Sequence, residues 1–265
     1  MWQERRTFAS ELPDNGFRTD RATGTLYIMY ARYILLLLFM WAGTAFASQP
    51  GKRLPEWKSG TVLSAREIST LGIDRCFSSE PIPDPVFRRM KGKTFRPNPT
   101  IKRESLRYLR LLHVDSDGKT RMGEMVCNKA IAADLVSIFR KLYDAHYPIQ
   151  RIALLDDYDA DDERAMRDNN TSCFCYRTAT GSKKLSAHAR GMAVDVNTFY
   201  NPYVRKTRSG KLIVHPAGAE RYADRTKKFN YKIDTSDLCY RLFRAHGFKW
   251  GGAWRSCKDY QHFEK

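Results

Sequence analysis

Two segments near the C-terminus contain side chains of the types that bind a divalent metal ion. His188 and Asp195 lie seven residues apart in the first segment, and His262 lies in the second. Two imidazoles and a carboxylate give Zn²⁺ three ligands and leave the fourth position for a reactive water. Asp259, three residues before His262, is a candidate general base for that water; alternatively it orients a ligand imidazole. The residue types therefore predict a hydrolytic zinc site.

The chain before this site shows the pattern of a mixed fold. Residues Leu106–Val114 form a predicted strand that enters a turn at Asp115–Gly118, since Asp-Gly supports a tight reversal. Residues Arg151–Leu155 are predicted to form a second, buried strand. The length of 265 residues suits one catalytic domain with an extension.

Two helices are predicted from apolar spacing and from capping residues. Apolar residues recur at helical spacing from Asn128 to Tyr147, and Pro148 ends this amphipathic segment. A second helix runs through His246 and is capped by Ser236 or Asp237.

The metal site is expected at the ends of short strands. Ser172–Arg177 and Ala193–Val196 have the alternating or apolar character of strands and flank the loop that contains His188. Gly191 supplies the bend inside that loop. The last segment, Phe248–Phe263, is expected to return as a strand or hairpin that carries His262.

The acidic run Asp156–Glu163 is predicted to be a solvated loop. Its carboxylates also raise the alternative of a calcium site. The run lacks the glycine and the terminal glutamate of an EF-hand loop, which disfavours that alternative.

The sequence has six cysteines, all after residue 47. An even number in an exported chain predicts at least one disulfide, although the pairing cannot be read from the spacing. Side-chain alternation along a strand would place Cys173 and Cys175 on the same face as Arg177, with a thiol near the metal site. A disulfide or a buried apolar role is favoured for them over metal binding.

The N-terminal region has the features of a signal peptide. An apolar run of 14 residues, Ile34–Ala47, follows Arg32 and ends in the small-x-small sequence Ala45-Phe46-Ala47. The run is short for a membrane span, so we expect export, cleavage before Ser48 and no stable membrane insertion afterwards. A retained anchor is the alternative, and Met29 is an alternative start.

The formal net charge of +17 raises the question of whether the protein binds nucleic acid. The basic residues are scattered and form no long run or binding motif, so we expect no nucleic-acid partner. A solvated basic surface, or contact with anionic envelope polymers or carboxylate-bearing substrates, fits an exported protein better.

Several segments together resemble a known family. The pattern Ser186-x-His188-x-x-Gly191-x-Ala193-x-Asp195, followed by Asp259-x-x-His262, resembles the zinc D,D-peptidase family. The likeness extends to three further segments: Asn169–Arg177, Asn197 with Asn201-Pro202-Tyr203, and Trp250-Gly251-Gly252-x-Trp254. These look like the motifs of its D-alanyl-D-alanine carboxypeptidase-like and L-alanyl-D-glutamate peptidase-like branches.

The resemblance implies a role for each matched residue. His188, Asp195 and His262 would hold the zinc ion, and Asp259 would act as base and proton shuttle. Arg177 would bind substrate and stabilise the oxyanion, which agrees with the donor geometry of a guanidinium. From the residues alone, Arg177 pairing with the acidic loop remains an alternative.

The same resemblance implies a substrate class and a fold. Ser186 would contact substrate, unless it only caps a turn. The substrate would be the peptide stem of peptidoglycan. The favoured activity is that of a D-alanyl-D-alanine carboxypeptidase. The alternatives are an L-alanyl-D-glutamate endopeptidase and a catalytically silent zinc-containing cell-wall binding module. We expect an α+β fold of the hedgehog and D,D-peptidase type, in which a small antiparallel sheet carries one zinc site and helices cover its other face.

These observations divide the chain into three predicted regions. Residues 1–47 are a leader and signal peptide, 48–100 an extended lead-in rich in proline and basic residues, and 101–265 the zinc peptidase domain. The periplasm is the expected compartment.

Overall fold

The computed structural model of the protein describes residues 56–179 and 184–265. The predicted signal peptide and its cleavage site lie outside the described residues. In the part that is described, no helix is long and apolar enough to cross a membrane.

Helices and small sheets alternate along the chain. The five α-helices of the described residues are α1 (Ala65–Leu71), α2 (Asp84–Met90), α3 (Ala132–Asp144), α4 (Asp162–Arg167) and α5 (Leu238–Ala245). Their strands are β1 (Ser78–Glu80), β2 (Leu106–Val114), β3 (Thr120–Asn128), β4 (Arg151–Ile152), β5 (Asn170–Thr171), β6 (Ala193–Asp195), β7 (Tyr203–Lys206), β8 (Leu212–His215), β9 (Lys249–Trp250), β10 (Lys258–Asp259) and β11 (His262–Glu264). The α+β prediction is confirmed.

Three three-stranded sheets, each antiparallel, organise the described chain. Their strand orders are β1-β2-β3, β10-β7-β8 and β6-β11-β9, and a separate parallel pair joins β4 to β5. The long β2–β3 hairpin confirms the predicted strand and turn. Asp115 stabilises the turn, because its carboxylate accepts from the backbone N–H of Asp117 and of Lys119.

The hairpin is covered on both faces. Apolar residues of α3, including Leu135, Ile138 and Phe139, share a buried cluster with Leu109 and Leu111 of β2. A second cluster places residues of α2 against other residues of the same hairpin. Burial on both faces explains why the sequence of β2 is almost continuously apolar.

The two predicted helices are confirmed, with shorter bounds. Helix α3 ends at Asp144, four residues before Pro148. The side chain of Asp237 caps α5 by accepting from the backbone N–H of Cys239 and Tyr240. Of the two predicted capping residues, Asp237 is therefore the one used.

Helix α5 supports the strand that carries His262. The ring of Phe263 on β11 stacks on that of Phe243 of α5, with centroids 4.3 Å apart and planes 18° apart. Phe263 is fully buried. Because side chains alternate along a strand, its neighbours His262 and Glu264 point to the opposite face.

The structure corrects three predictions of local structure. Residues within the predicted extended lead-in form α1 and α2, and β1 pairs with β2 of the hairpin. The capping box of Ser64 with Glu67 starts α1. Part of the predicted acidic loop is helical, since α4 begins at Asp162 and is capped by Asp161.

The third correction concerns Ser172–Arg177, which forms no continuous strand. Its backbone N–H groups donate to three separate elements: Phe174 to Val126, Cys175 to His188, and Tyr176 to Thr94. No single partner strand is available, so the apolar pattern does not produce a ladder.

The predicted disulfide is absent from the described residues, which include all six cysteines, and each of these is a free thiol. Five of the six are buried. Cys173 packs in the main core and Cys175 in a small cluster with Leu155 and Ala165. These thiols fill apolar space as small hydrophobic side chains.

Candidate metal centre and active-site cleft

His188, Asp195 and His262 converge at one point of the structure. Asp195 at the end of β6 lies directly opposite His262 at the start of β11. Nε2 of His188 is 3.2 Å from Nδ1 of His262 and 3.2 Å from Oδ2 of Asp195, and Nδ1 of His262 is 3.0 Å from Oδ1 of Asp195. The three side chains form a group that could hold a metal ion.

His188 is oriented by the segment that precedes it in the chain. It opens a short 3-10 turn, and its Nδ1 lies 2.7 Å from the carbonyl oxygen of Cys173. A carbonyl only accepts, so Nδ1 carries the proton and Nε2 presents a lone pair to the group. This is the tautomer that a metal ligand at Nε2 requires.

Gly191 shapes the turn between His188 and Asp195. Its φ of 66° is left-handed, and a Cβ there would lie 2.6 Å from the backbone nitrogen of Asn128. The turn therefore packs directly on the end of β3 with no room for a side chain. The predicted bend at Gly191 is confirmed.

His262 is held from both sides. Oε2 of Glu264 lies 3.5 Å from Nε2, on the side of the ring away from Nδ1. Burial lowers the pKa of His262, but the neighbouring carboxylates of Asp195 and Glu264 outweigh it and raise the pKa to about 10. Burial likewise opposes ionisation of Asp195, yet the two imidazoles lower its pKa overall. The group thus has a negative centre flanked by imidazoles.

Asp259 lies beside the three residues as a carboxylate with unused acceptor capacity. Its Oδ1 is buried and has no hydrogen-bond partner among the described residues. Burial, with Asp195 nearby, raises the pKa of Asp259 to about 7, although His262 and His188 oppose the rise. A carboxyl group with such a pKa can accept and return a proton near neutral pH.

Gly251 allows the close packing of Asp259 and His262. A Cβ on Gly251 would lie 2.7 Å from the carbonyl oxygen of Asp259 and 3.1 Å from Cβ of His262. The preceding Trp250 donates from Nε1 to the carbonyl oxygen of Tyr260, between these two residues. The segment Trp250–Gly251 thus packs against the turn that carries both side chains and fixes the position of that turn.

Arg177 lines the same cleft and forms an ion pair with the acidic run. Its Nε is 2.6 Å from Oδ2 of Asp162 at the start of α4. Burial raises the pKa of Asp162, while Arg177 and then His188 lower it. The pairing that was an alternative for Arg177 is therefore present, and it holds the guanidinium at the wall of the cleft.

The other carboxylates of the acidic run also have partners in the protein. Asp156 accepts from Thr94, Asp157 pairs with Arg89, and Asp159 pairs with Lys93. They stabilise the contact between this run and the lead-in, and do not converge on a common point as calcium ligands would.

Ser186 caps the turn that opens with His188. Its Oγ accepts from the backbone N–H of Ala189 at 3.0 Å, and the side chain is buried at the edge of the cleft. The turn-capping role considered for Ser186 is thus present.

The metal group and Asp259 lie in a cleft of about 550 Å³. The acidic-run side contributes Asp162 and Glu163, and the β7–β8 hairpin forms another wall. Trp254 also lines the cleft, with its ring centroid 5.1 Å from that of His262. The volume is sufficient for a small peptide or a similar ligand.

Residues 180–265 match a protein-family model described as D-alanyl-D-alanine carboxypeptidase. The C-terminal part of the chain is therefore similar to that peptidase family. The match covers all three residues of the metal group and Asp259, whereas Arg177 and Asp162 precede it. Comparisons with curated proteins and with solved structures gave no match.

The structure brings together all six residues that were predicted for the site. His188, Asp195, His262, Asp259, Arg177 and Ser186 line one cleft. Sequence reasoning missed Glu264, Asp162 and Trp254. Glu264 lies one residue beyond the predicted segment Phe248–Phe263, and extension of that strand by one residue places Glu264 on the same face as His262. Asp162 gave no local signal, because its contact with Arg177 joins residues that are far apart in sequence.

Proposed function

We propose that this protein is a zinc-dependent peptidase that hydrolyses peptidoglycan stem peptides as a D-alanyl-D-alanine carboxypeptidase. The observation that carries the proposal is the convergence of a His-Asp-His group with a fourth carboxylate, Asp259, in one cleft. The family match supports peptide hydrolysis and names the D-alanyl-D-alanine bond.

The donor atoms of the group fit Zn²⁺ in type and spacing. Ligand atoms about 2.0–2.1 Å from a tetrahedral zinc ion lie roughly 3.3 Å from one another. The two imidazole nitrogens are 3.2 Å apart, and each lies 3.0–3.2 Å from a different oxygen of Asp195, with one ligand atom from each residue within 4.8 Å of the others. Two imidazoles and one carboxylate are the ligand set of catalytic zinc sites that keep one position open.

When bound, zinc would lower the pKa of a water and polarise the substrate carbonyl. His188 and His262 would hold the ion through Nε2 and Nδ1, since the opposite nitrogens face Cys173 and Glu264. Asp195 would neutralise part of its charge.

Asp259 would perform the proton transfers. Its unpaired Oδ1 would take a proton from the attacking water and later donate it to the leaving amine. A pKa near neutrality suits both directions of this transfer. No covalent bond between enzyme and substrate is required.

Arg177 would stabilise the negative charge that develops on the carbonyl oxygen. Oδ2 of Asp162 lies 2.6 Å from Nε of the guanidinium. A guanidinium has five N–H donors, so its terminal nitrogens can serve an oxyanion while the ion pair fixes its position. Ser186 would contact the substrate at the cleft edge.

The proposal extends to the rest of the chain. We infer a fold of the hedgehog and D,D-peptidase type with the peptidase domain over residues 101–265, preceded by the lead-in of 48–100. We also infer export to the periplasm after removal of residues 1–47, where peptidoglycan is accessible.

The proposal is tested with a defined stem pentapeptide that ends in D-Ala-D-Ala. The purified protein is assayed as isolated, after chelation, and after zinc is restored, with products read by mass. Zinc-dependent release of one D-Ala is the expected result. Cleavage between L-Ala and D-Glu would instead identify an endopeptidase, and failure of folded, zinc-loaded protein to cleave any stem would identify a wall-binding module.

A further inference from the structure

One face of the β7–β8 hairpin forms a wall of the cleft. Tyr203 and Arg205 of β7 line it, as do Ile213 and His215 of β8, whereas the residues between them do not. These are cross-strand pairs, with Tyr203 opposite His215 and Arg205 opposite Ile213. Since alternate residues of each strand line the cleft, a single face of the hairpin is presented to it.

The same wall carries Asp259. Strand β7 pairs on its other side with β10, and Tyr203 lies opposite Asp259 in that pairing. Arg205 is two residues further along β7, which is about 7 Å at the rise of an antiparallel strand. Along the strand, Arg205 is thus about the length of two peptide residues from the position that pairs with Asp259, and it lines the same cleft.

The charges in the cleft make Arg205 distinctive. Among the described residues that line it, five are carboxylates: Asp162, Glu163, Asp195, Asp259 and Glu264. Two are arginines. Arg177 is paired with Asp162, whereas Arg205 has an exposed side chain and forms no ion pair with any described residue.

Several of these carboxylates also have partners: Glu163 lies beside Arg167 and His215, and Asp195 lies between the two imidazoles. An anionic substrate group is therefore bound most favourably beside a cation that no carboxylate neutralises. Arginine is suited to that role, because its guanidinium binds a carboxylate with two parallel hydrogen bonds. In the proposed mechanism Arg177 would serve the reacting carbonyl, together with zinc when it is bound. Arg205 is then the cation available for a second group.

We propose that Arg205 binds a carboxylate of the peptide substrate and thereby determines specificity for anionic peptides. The proposal rests on the proposed peptidase function and names the residue that selects its substrate. Two groups of a stem peptide share this chemistry: the terminal carboxylate and the carboxylate of an internal D-Glu.

The experiment compares three pentapeptides: the free acid, its C-terminal amide, and a free acid in which D-Gln replaces D-Glu. Each is assayed as kcat/KM with the zinc-loaded wild type, Arg205→Ala and Arg205→Lys. Lys206→Ala is the matched control, because it removes the same charge from the next residue of β7, which does not line the cleft.

We expect wild type to cleave the free acid about tenfold faster than one of the two neutralised peptides, as a charge-assisted hydrogen bond predicts. Arg205→Ala should remove this preference mainly through KM, Arg205→Lys should retain part of it, and Lys206→Ala should leave it intact. Which peptide is discriminated against identifies the carboxylate.

Other results would overturn the proposal. Equal rates on all three peptides with wild type, or a preference that survives Arg205→Ala, would show that Arg205 does not bind a substrate carboxylate, while peptide cleavage would leave the peptidase assignment in place. Failure to cleave any of the three would overturn the proposed function and this inference with it.

Discussion

Glu264 lies two residues after His262 on β11, and its Oε2 is 3.5 Å from Nε2 of that imidazole. Side-chain alternation brings both to the cleft while Phe263 between them packs into the core. The carboxylate favours a proton on Nε2 and so leaves Nδ1 free for a metal ion. Glu264 is therefore a positioning residue for the proposed zinc ligand.

Replacement of Glu264 should weaken zinc binding. We expect Glu264→Ala to raise the Kd for zinc about 10- to 100-fold, since carboxylates that orient ligand imidazoles contribute on this scale. Glu264→Gln, which keeps a hydrogen-bond acceptor, should lie between. Competition with a chromogenic chelator measures the Kd directly, without reference to activity.

Glu104→Ala is the control for this change, because Glu104 is exposed and does not line the cleft. It should bind zinc as wild type does. An unchanged Kd in Glu264→Ala would show that backbone geometry alone orients His262.

Replacement of Gly251 by alanine should have a steric effect at the same site. In Gly251→Ala the new Cβ would lie 2.7 Å from the carbonyl oxygen of Asp259 and 2.9 Å from its Cβ, so the Asp259–His262 turn must move. Forced movement of a packed segment costs about 1–3 kcal/mol. We expect a loss of stability of that size by urea unfolding, together with weaker zinc binding.

Gly118→Ala is the control for this change, because it alters a glycine with a left-handed backbone conformation but creates no steric clash. Gly118 has a φ of 75° in the β2–β3 turn, and a Cβ there meets nothing within 4 Å. This variant should lose some stability through its left-handed conformation but should bind zinc normally. Normal zinc binding by Gly251→Ala would contradict the proposed packing constraint.

His113 should make the protein sensitive to acid. Burial lowers its pKa to about 4, although the Ile149 carbonyl oxygen, 2.7 Å from Nδ1, and Asp115 oppose the shift. The unfolded chain binds a proton near pH 6.5 and the folded chain near pH 4. The free energy of unfolding therefore falls as pH drops from about 6.5 to 4, by roughly 3 kcal/mol for this group.

His113→Gln removes the titration, so its stability should depend less on pH across this interval. Urea midpoints for wild type and variant at steps between pH 7 and pH 4 give the two slopes. His146→Gln, at an exposed histidine, should keep the wild-type slope. Parallel slopes for wild type and His113→Gln would rule out this contribution.

The metal group was predictable because its residues have strong local signals. His188 and Asp195 are close in sequence, and the segment predicted to return as a strand or hairpin, Phe248–Phe263, carries His262, which the pairing of β11 with β6 places opposite Asp195. The helices were predictable for the same reason, since apolar spacing and Asp237 are local. Short sheets made of two- and three-residue strands were not, because their register depends on distant partners.

Arg177 shows what local patterns cannot supply. Its segment has the apolar character of a strand, but tertiary contacts give each backbone N–H a different partner. Its ion pair with Asp162 likewise depends on the position of α4. The residue was assigned to the site by resemblance, and pairing with the acidic run was an alternative; only the folded chain identifies Asp162 as the partner and shows that the pair lies in the cleft.

Asp259 provides the sharpest test of the proposed chemistry. Asp259→Asn preserves the shape of the side chain but removes a carboxylate whose Oδ1 has no partner among the described residues. Loss of a general base and acid should reduce kcat about 10²- to 10⁴-fold, with zinc affinity and stability retained because Asp259 is not in the metal group.

Asp117→Asn, in the distant β2–β3 turn, should keep wild-type kcat. The pH dependence gives a second criterion: Asp259 must be ionised to accept a proton, so wild-type kcat/KM should rise with pH along an acidic limb. Its pKa of about 7 in the metal-free chain would be lowered by a nearby cation, which places that limb at or below pH 7. An Asp259→Asn enzyme with near wild-type kcat would exclude Asp259 as the proton carrier and leave it an orienting carboxylate.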